Sequence, residues 1–327
     1  MSRFSLLRFS QAPKRQVGKH RSGVAKFLLQ PPRWLSLALR LRGSVIPAIL
    51  SEVLFCGGFG FLVTVVDLYL INVHWPVLGS LIPSIVLGLL LVFRTNTAYE
   101  RFWEGRRQWG NIVNNSRSLT RLMWTAIDEK GLEDRQGKID AVYLVGAFAI
   151  ATKQHLRGES FAELEPLLKP HQYKELQTVQ NVPLRIALWI EDYLHQQHRR
   201  GHLSLYQLTY IDELLVQLVD ALGACERILK TPMPLAYAIH LKQLLFLYCL
   251  LLPFQLVDNL GWWTGPMVGL IAFTLFGVEE IGIEIENPFG RDLNDLPLDA
   301  ICLTMQQNIH DLISAPTHQH RPVQPFP

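Results

Sequence analysis

The sequence is short of charged residues, and the two signs of charge are missing from different parts of it. Charged residues make up 18% of the 327 residues, below the roughly one quarter that is usual in soluble globular domains. The first 42 residues contain no Asp or Glu, and residues 43–93 contain no Lys or Arg. Hydrophobic residues make up 49% of the chain, which excludes disorder as its dominant state.

Cysteine pairs and the common catalytic motifs are also absent. The four cysteines lie far apart and form no C-x-x-C pair: Cys56, Cys225, Cys249 and Cys302. A small disulfide scaffold is therefore excluded, and these residues are interpreted as reduced, mostly buried thiols. The sequence has no G-x-S-x-G, no H-E-x-x-H and no glycine-rich phosphate loop, so an enzyme is not expected.

One histidine pair has the spacing of metal ligands. His195 and His198 lie three residues apart, on one face of an expected helix. No third ligand is near them in the sequence, so a solvated helix face is the favoured interpretation. Neither a metal nor a cofactor is expected.

Four segments are apolar enough to cross a membrane, which takes about 20 residues. They are residues 44–72, 76–93, 233–257 and 261–283. Glu52 and Asp67 are the only acids in the first, and the second has no charge. The third carries Lys242, and the fourth becomes charged only at Glu279 and Glu280. The short connection after residue 72 favours an antiparallel hairpin of the first two.

The positive residues orient these segments. Ten Lys/Arg lie in the basic arm 1–42, and four follow the second segment: Arg94, Arg101, Arg106 and Arg107. The connections 73–75 and 256–264 contain none. Because Lys and Arg concentrate on the cytoplasmic side, both termini are expected in the cytoplasm. Three tryptophans are expected at the outer interface: Trp75, Trp262 and Trp263.

The basic arm has other interpretations. After residue 42 the chain holds 21 basic and 28 acidic residues, so the arm precedes a mildly acidic body. Nucleic-acid binding is one reading of such an arm, but the apolar segment that follows favours a membrane topology signal. Residues 1–30 are also Arg/Ser-rich and acid-poor, as organellar transit peptides are. Contact with anionic lipid or with a neighbouring subunit is left open.

The middle of the chain predicts helices only. Apolar periodicity favours helices at 95–128, 138–156, 161–178, 184–199 and 205–229. A further helix is expected at 298–314, followed by a disordered tail at 316–327.

The second apolar segment continues into the polar region without interruption. After Arg94, no Gly or Pro occurs until Gly105, so one helix is expected to leave the membrane. Within its apolar part, Ile85, Leu89 and Phe93 recur every four residues on one stripe. Helix packing or lipid contact is the ordinary explanation of such a stripe.

Three segments resemble the bestrophins, and most closely their bacterial and plant members. They are RTNTAYERFWEGRRQWG at 94–110, ENPFGRDLNDLPLD at 286–299 and RGSVIP at 42–47. The resemblance extends over roughly residues 36–313. It implies an all-α integral membrane protein with four membrane helices per subunit and a cytoplasmic helical bundle. Five subunits would form a homopentameric ion channel around a central pore.

The resemblance also assigns pore residues. Aligning on the VFR…RFW run places the apolar rings of the pore neck at Ile85, Leu89 and Phe93. Such rings gate by dewetting, because an ion cannot shed its water without replacement ligands. Leu203 is a candidate for a lower aperture in the vestibule, although a plain packing role is favoured for it.

The loop after ENPFG departs from the animal bestrophins, in which a run of acids helps to form a calcium clasp. The corresponding positions are Arg291, Asp292, Leu293, Asn294 and Asp295. Calcium takes six to eight oxygen ligands, several of them anionic. Two remaining carboxylates beside an arginine predict no calcium site and no calcium activation. Helix capping and loop closure are the favoured roles.

Ion selectivity is expected to favour monovalent anions. The family resemblance implies chloride, with bicarbonate as a further ion. The uncharged neck discriminates weakly by sign, and a cation-selective channel is the alternative, since the acidic body attracts cations. Glu279, Glu280 and Glu284 are expected to cap the fourth segment and to meet Lys or Arg of the arm; if they faced the vestibule instead, they would attract cations. Within the membrane, Glu52 is expected to pair with Lys242.

The expected domain organisation follows the membrane segments. It comprises the arm 1–42, a transmembrane hairpin 43–93, a cytoplasmic helical region 94–232, two spans in 233–285, the NPFG loop with its helix at 286–315, and the tail 316–327. The expected partners are further copies of the chain, membrane lipids and permeating ions, and not nucleic acid. A plasma membrane is the expected location, with a thylakoid membrane as the alternative. A membrane scaffold without conduction is the second functional alternative.

Overall fold

The structure is a computed structural model, and it describes residues 40–73 and 81–314. The predictions for most of the basic arm, for Trp75 and for the tail lie outside these residues. The described residues contain helices and no strand. In chain order the α-helices are α1 (Ile46–Tyr69), α2 (Leu81–Ala126), α3 (Leu132–Arg157), α4 (Pro170–Leu176), α5 (Val182–Arg199), α6 (Leu205–Lys230), α7 (Leu235–Leu260), α8 (Thr264–Glu286) and α9 (Leu298–Ser314).

The chain divides into two units, residues 1–47 and 48–327. In the first, the described residues form a turn in which the Ser44 N–H donates to the Leu41 C=O at 3.2 Å. The Ser44 hydroxyl then accepts from the Ile46 N–H at 3.2 Å, which caps the start of α1. All the helices after α1 belong to the second unit.

An apolar cluster joins α1, the first part of α2, α7 and α8. Its buried members include Cys56, Leu91, Leu245 and Phe276. Helices α1 and α8 approach closely through small residues, as membrane helices do. A Cβ added to Gly60 would lie 3.0 Å from the Cα of Gly265.

Two stretches of the described residues are long and apolar enough to cross a membrane: Ile46–Tyr69 and the 52-residue stretch Leu235–Glu286. The second contains α7, a short 3-10 turn at Gly261–Trp263 and α8. Gly261, with a φ of 50°, lies in the left-handed region at this turn. Each helix alone exceeds the length of about 20 residues that one crossing needs. The expected second span lies partly outside the described residues.

A larger cluster joins the rest of α2 to α3, α5, α6 and α9. Trp109, Phe148, Ile190 and Leu218 are fully buried within it. We refer to these five elements as the polar bundle. Helix α2 has 46 residues, and at 1.5 Å per residue it spans about 69 Å. It therefore connects the apolar cluster to the far end of the polar bundle.

The structure corrects one predicted helix. Residues 161–178 do not form a single helix but a 3-10 segment, Ala162–Leu167, followed by α4. Two prolines explain the break, because Pro166 lies inside the 3-10 segment and Pro170 begins α4. The predicted helices at 184–199, 205–229 and 298–314 match α5, α6 and α9 to within two residues.

Candidate functional site

One face of α2 is exposed among the described residues 40–73 and 81–314. Ile85, Leu89 and Phe93 are 59%, 54% and 62% exposed, although all three are large and apolar. Leu87 and Leu91, on the opposite face of the same turns, are only 4% and 5% exposed. The subunit therefore packs one side of this helix and leaves the predicted neck stripe uncovered.

The uncovered face continues beyond the apolar part. Helical periodicity carries the line of Ile85 and Phe93 on to exposed polar residues. They are Asn96, Glu100, Arg107, Asn111, Asn114 and Arg121. This face thus changes from apolar to mostly polar at Arg94, about one third of the way along α2, with the exposed Trp103 as an apolar exception on the same line.

A buried ion pair fixes α2 at the point of this change. Arg94 is 3% exposed, and its Nη2 lies 2.7 Å from Glu286 Oε2 at the end of α8. The other Glu286 carboxylate oxygen accepts from the Met233 N–H at 2.7 Å. Glu286 therefore ties the base of the candidate neck both to α8 and to the segment before α7.

Arg101 strengthens the same junction two turns further along α2. Its guanidinium donates to the backbone carbonyls of Ile228 (2.6 Å), Glu286 (3.3 Å) and Thr231. Burial is the main reason why the pKa of Arg101 is lowered, and the nearby Glu286 carboxylate opposes that shift. We call Arg94, Arg101, Met233 and Glu286 the collar.

The two long sequence motifs meet at the collar. Gly105, in the motif on α2, lies so close to the ENPFG segment that an added Cβ would be 2.7 Å from Pro288 Cγ. On the α8 side, a Cβ on Gly282 would lie 3.3 Å from Arg94 Cγ. Residue spacing alone does not pair Arg94 with Glu286, which are 192 positions apart. The available signal was that Arg94 ends an uncharged run and Glu286 begins ENPFG.

Leu203, the candidate for a lower aperture, is buried in the subunit. Its side chain is 3% exposed and belongs to the core of the polar bundle. The His198 Nδ1–H donates to the Leu203 C=O at 2.9 Å, which holds the backbone of this loop. This position is the one that a packing role requires. The exposed apolar residues nearby are Leu205 and Tyr206, at the start of α6.

The expected pairing of Glu52 with Lys242 is also corrected. Lys242 Nζ lies 4.0 Å from Glu279 Oε2, whereas Glu52 accepts a hydrogen bond from the Ser51 hydroxyl at 2.7 Å. Glu279 is buried and Lys242 is more than half exposed. A buried carboxylate is stabilised more by an oppositely charged partner than an exposed one is, and Lys242 lies at ion-pair distance from the buried Glu279.

The remaining acids of α8 are placed differently from one another. Glu280 is half-buried, and Glu284 Oε2 accepts from Asn294 Nδ2 at 2.6 Å. Glu284 therefore joins α8 to the loop after ENPFG.

The loop at 290–296 is closed by its own hydrogen bonds. Asp295 Oδ2 accepts from the Asp292 N–H at 2.7 Å, and the Leu296 N–H donates to the Pro288 C=O at 3.0 Å. Burial raises the pKa of Asp295, and the Asp292 N–H opposes that shift. Leu293 is exposed. The carboxylate of Asp295 is thus engaged in capping the turn, the role that the sequence favoured.

Arginines and a lysine hold this loop against α3. Arg291 Nε donates to Glu159 Oε1 at 2.7 Å, and Arg157 Nε donates to the Phe289 C=O at 3.0 Å. Lys153 and Arg157 both bind Asp299, at the start of α9. Their hydrogen bonds lower the pKa of Asp299 to about 2. Cations of the chain therefore pair with Glu159 and Asp299 in this region.

The histidine pair on α5 does not gather metal ligands. His195 Nε2 lies 3.8 Å from Asp212 Oδ2 and 4.0 Å from Glu191 Oε1, while His198 bonds the Leu203 backbone. Within residues 40–73 and 81–314, no three His, Cys, Asp or Glu residues lie together as a metal-binding group.

Comparison with known proteins gives consistent matches over most of the chain. The family described as Bacterial/Fungal Bestrophin protein matches residues 27–311. A protein of Nostoc sp. named voltage-dependent anion channel-forming protein is 62% identical over 282 residues, covering 86% of this chain and 92% of that relative. A protein of Synechocystis sp. with the same name is 54% identical over 287 residues, covering 88% and 94%.

Solved structures also match this chain in fold. The crystal structure of a bacterial Bestrophin homolog from Klebsiella pneumoniae superposes with a TM-score of 0.74 at 29% identity. The match covers 81% of this chain and 98% of the Klebsiella pneumoniae chain. The all-α architecture, the two sequence motifs joined at the collar, and the matches in sequence and structure agree. This chain is a membrane protein of the bestrophin family.

Proposed function

We propose that the protein is a passive channel for monovalent anions, with chloride as the main ion and bicarbonate as a second. It works as a homopentamer with four membrane helices per subunit, and the uncovered face of α2 lines the pore. The observation that carries this proposal is the change along that face, from Ile85, Leu89 and Phe93 to polar residues beyond Arg94. No catalytic role is proposed.

An apolar neck suits a gate that needs no ligand. A ring of Ile, Leu or Phe side chains offers an ion nothing in exchange for its hydration water, so a narrow ring excludes ions by dewetting. A slightly wider ring admits hydrated ions. The collar supports this role, because it fastens the end of the neck to α8 and to the start of α7.

Two observations favour anions over cations. The Nostoc and Synechocystis relatives are named as anion channels. Beyond Arg94, the α2 helix carries five further arginines and two glutamates, so its own field favours anions. Glu279 and Glu284 are engaged by Lys242 and Asn294, which weakens the case for a cation-selective channel.

A lower constriction is proposed at the start of α6. Leu205 and Tyr206 are exposed apolar residues. They follow His202, whose C=O accepts from the Asp128 N–H just beyond the end of α2. At 1.5 Å per residue, the end of α2 lies about 50 Å from Phe93. These two residues therefore suit the far end of the pathway better than the buried Leu203.

The channel is proposed to lie in the plasma membrane, with a thylakoid membrane as the alternative and both termini in the cytoplasm. The hairpin 43–93 and residues 233–285 cross the membrane, and 94–232 with 286–315 form the cytoplasmic vestibule. The basic arm 1–42 contacts anionic lipid or a neighbouring subunit.

Calcium is expected to have no effect on the current. Asp295 caps its own turn, and Arg291 forms an ion pair with Glu159. The loop therefore offers too few free anionic oxygens for calcium. Currents through purified protein should be equal in micromolar calcium and in excess chelator. The variant Asp292→Asn should behave as the parent does. Reversible activation by calcium that Asp292→Asn abolishes would contradict this account.

The proposal is tested by the reversal potential of purified protein in a planar bilayer under a KCl gradient. The protein should be pentameric in detergent, and its current should reverse near the chloride equilibrium potential. Reversal near the potassium potential would establish the cation-selective alternative. A monomer or dimer that carries no current would favour the scaffold alternative.

A further inference from the structure

The part of α2 beyond Phe93 presents several charges on its outer surface. They are Glu100, Glu104, Arg106, Arg107, Arg117 and Arg121. Together they give each subunit two more positive than negative charges along this helix. The charges that shape an ion pathway are those that no neighbouring group already engages.

Three of the four arginines have partners. Arg107 forms an ion pair with Glu104 on the preceding turn. The Arg106 guanidinium lies over the ring of Trp103, 5.4 Å from its centroid. With the amide of Asn308 turned so that its oxygen faces α2, Arg117 donates to it from Nε and Nη2 at 3.3 Å.

Arg121 differs from these three. Among the described residues, no acidic group lies within ion-pair distance of its guanidinium, and its side chain is exposed. It stands 36 residues beyond Ile85, which is about ten full helical turns. Arg121 therefore points to the same side of α2 as the candidate neck.

Glu100 is the other charge on this face that has no ion-pair partner among the described residues. Glu100 lies two turns below Phe93, and the next residue is Arg101. The Arg101 guanidinium donates to backbone carbonyls, and the nearby Glu286 carboxylate also attracts its charge. Glu100 and Arg121 are about 32 Å apart along the helix, more than a Debye length at about 0.1 M salt, so Glu100 does not screen Arg121 at the far end of this face.

We propose that Arg121 concentrates anions at the cytoplasmic end of the channel and so raises the anion current that enters there. This inference rests on the proposed function, since five copies form a ring only in the pentamer. Arg121 lies five residues before the end of α2, close to the proposed lower constriction. A positive ring in a narrow, low-dielectric passage raises the local anion concentration.

The test measures single-channel currents of Arg121→Gln in symmetric KCl at two salt concentrations. In about 0.1 M salt the Debye length is about 10 Å, whereas at about 1 M it is about 3 Å. The anion current that enters from the cytoplasmic end should fall on the order of twofold at low salt. It should match the parent at high salt. Arg121→Lys should keep the parent current.

Arg117→Gln is the matched control, because it removes the same charge one turn away from a side chain already engaged by Asn308. It should change the current much less than Arg121→Gln does. An unchanged Arg121→Gln current in a conducting channel would overturn this inference alone, and so would an equal loss at both salt concentrations. A parent protein that carries no chloride current would overturn the proposed function as well.

Discussion

Replacing Ile85, Leu89 and Phe93 together by alanine is expected to raise chloride conductance or open probability on the order of tenfold. A factor of ten corresponds to a barrier lowered by about 1.4 kcal/mol. The reason is geometric and chemical. In the proposed pentamer, each subunit loses three large apolar side chains from the face that it leaves exposed. The wider neck holds continuous water and no longer excludes hydrated ions.

The control variant changes the opposite face of the same helix. Leu87→Ala combined with Leu91→Ala also removes two large apolar side chains, but both are buried against the subunit. That variant is expected to lower the unfolding temperature without raising conductance. The neck assignment would be wrong if the triple variant in planar bilayers conducted as the parent does while remaining pentameric.

Breaking the pair between Arg94 and Glu286 is the second change with a large expected effect. Removing one partner of a buried ion pair leaves the other charge uncompensated and costs about 3–5 kcal/mol. Arg94→Ala should therefore lower the thermal unfolding temperature in detergent substantially. Glu286→Ala should do so as well, because it also removes the acceptor of the Met233 N–H.

The double variant separates the pair from its two members. Arg94→Met with Glu286→Leu replaces both charges by apolar groups of similar size, which is often close to neutral. Its loss of stability should be smaller than the sum of the two single losses, as expected for residues in contact. Additive losses would show that Arg94 and Glu286 do not support each other.

The long helix and the family were accessible from the sequence, because both depend on local pattern. The run from the uncharged second segment through Arg94 to Gly105 contains no helix breaker after the charge begins, and α2 is continuous through it. The last predicted helix, at residues 298–314, also depends on local pattern, and the structure confirms it as α9. The helix predicted at 161–178 could have been corrected from its prolines, since Pro166 and Pro170 lie within that segment.

Pairings between distant residues were not accessible in the same way. Arg94 and Glu286 are 192 positions apart, and helical periodicity does not connect them. The sequence offered Lys242 two carboxylate partners, Glu52 and Glu279. Which of them lies at ion-pair distance depends on the packing of α8, which buries Glu279. Leu203 lies in a loop, whose burial is set by the helices that it joins. These features come from tertiary packing rather than from residue spacing.

The central claim, that the uncovered face of α2 lines the ion pathway, is tested most directly by cysteine modification during recording. Leu89→Cys places a thiol on the uncovered face, and Leu87→Cys places one on the covered face. The four native cysteines are buried, so the parent serves as the blank for a charged, water-soluble thiol reagent. The account predicts that the reagent changes the current of Leu89→Cys and leaves Leu87→Cys and the parent unaffected. A current of Leu89→Cys that does not respond, while mass spectrometry shows the thiol modified, would contradict it.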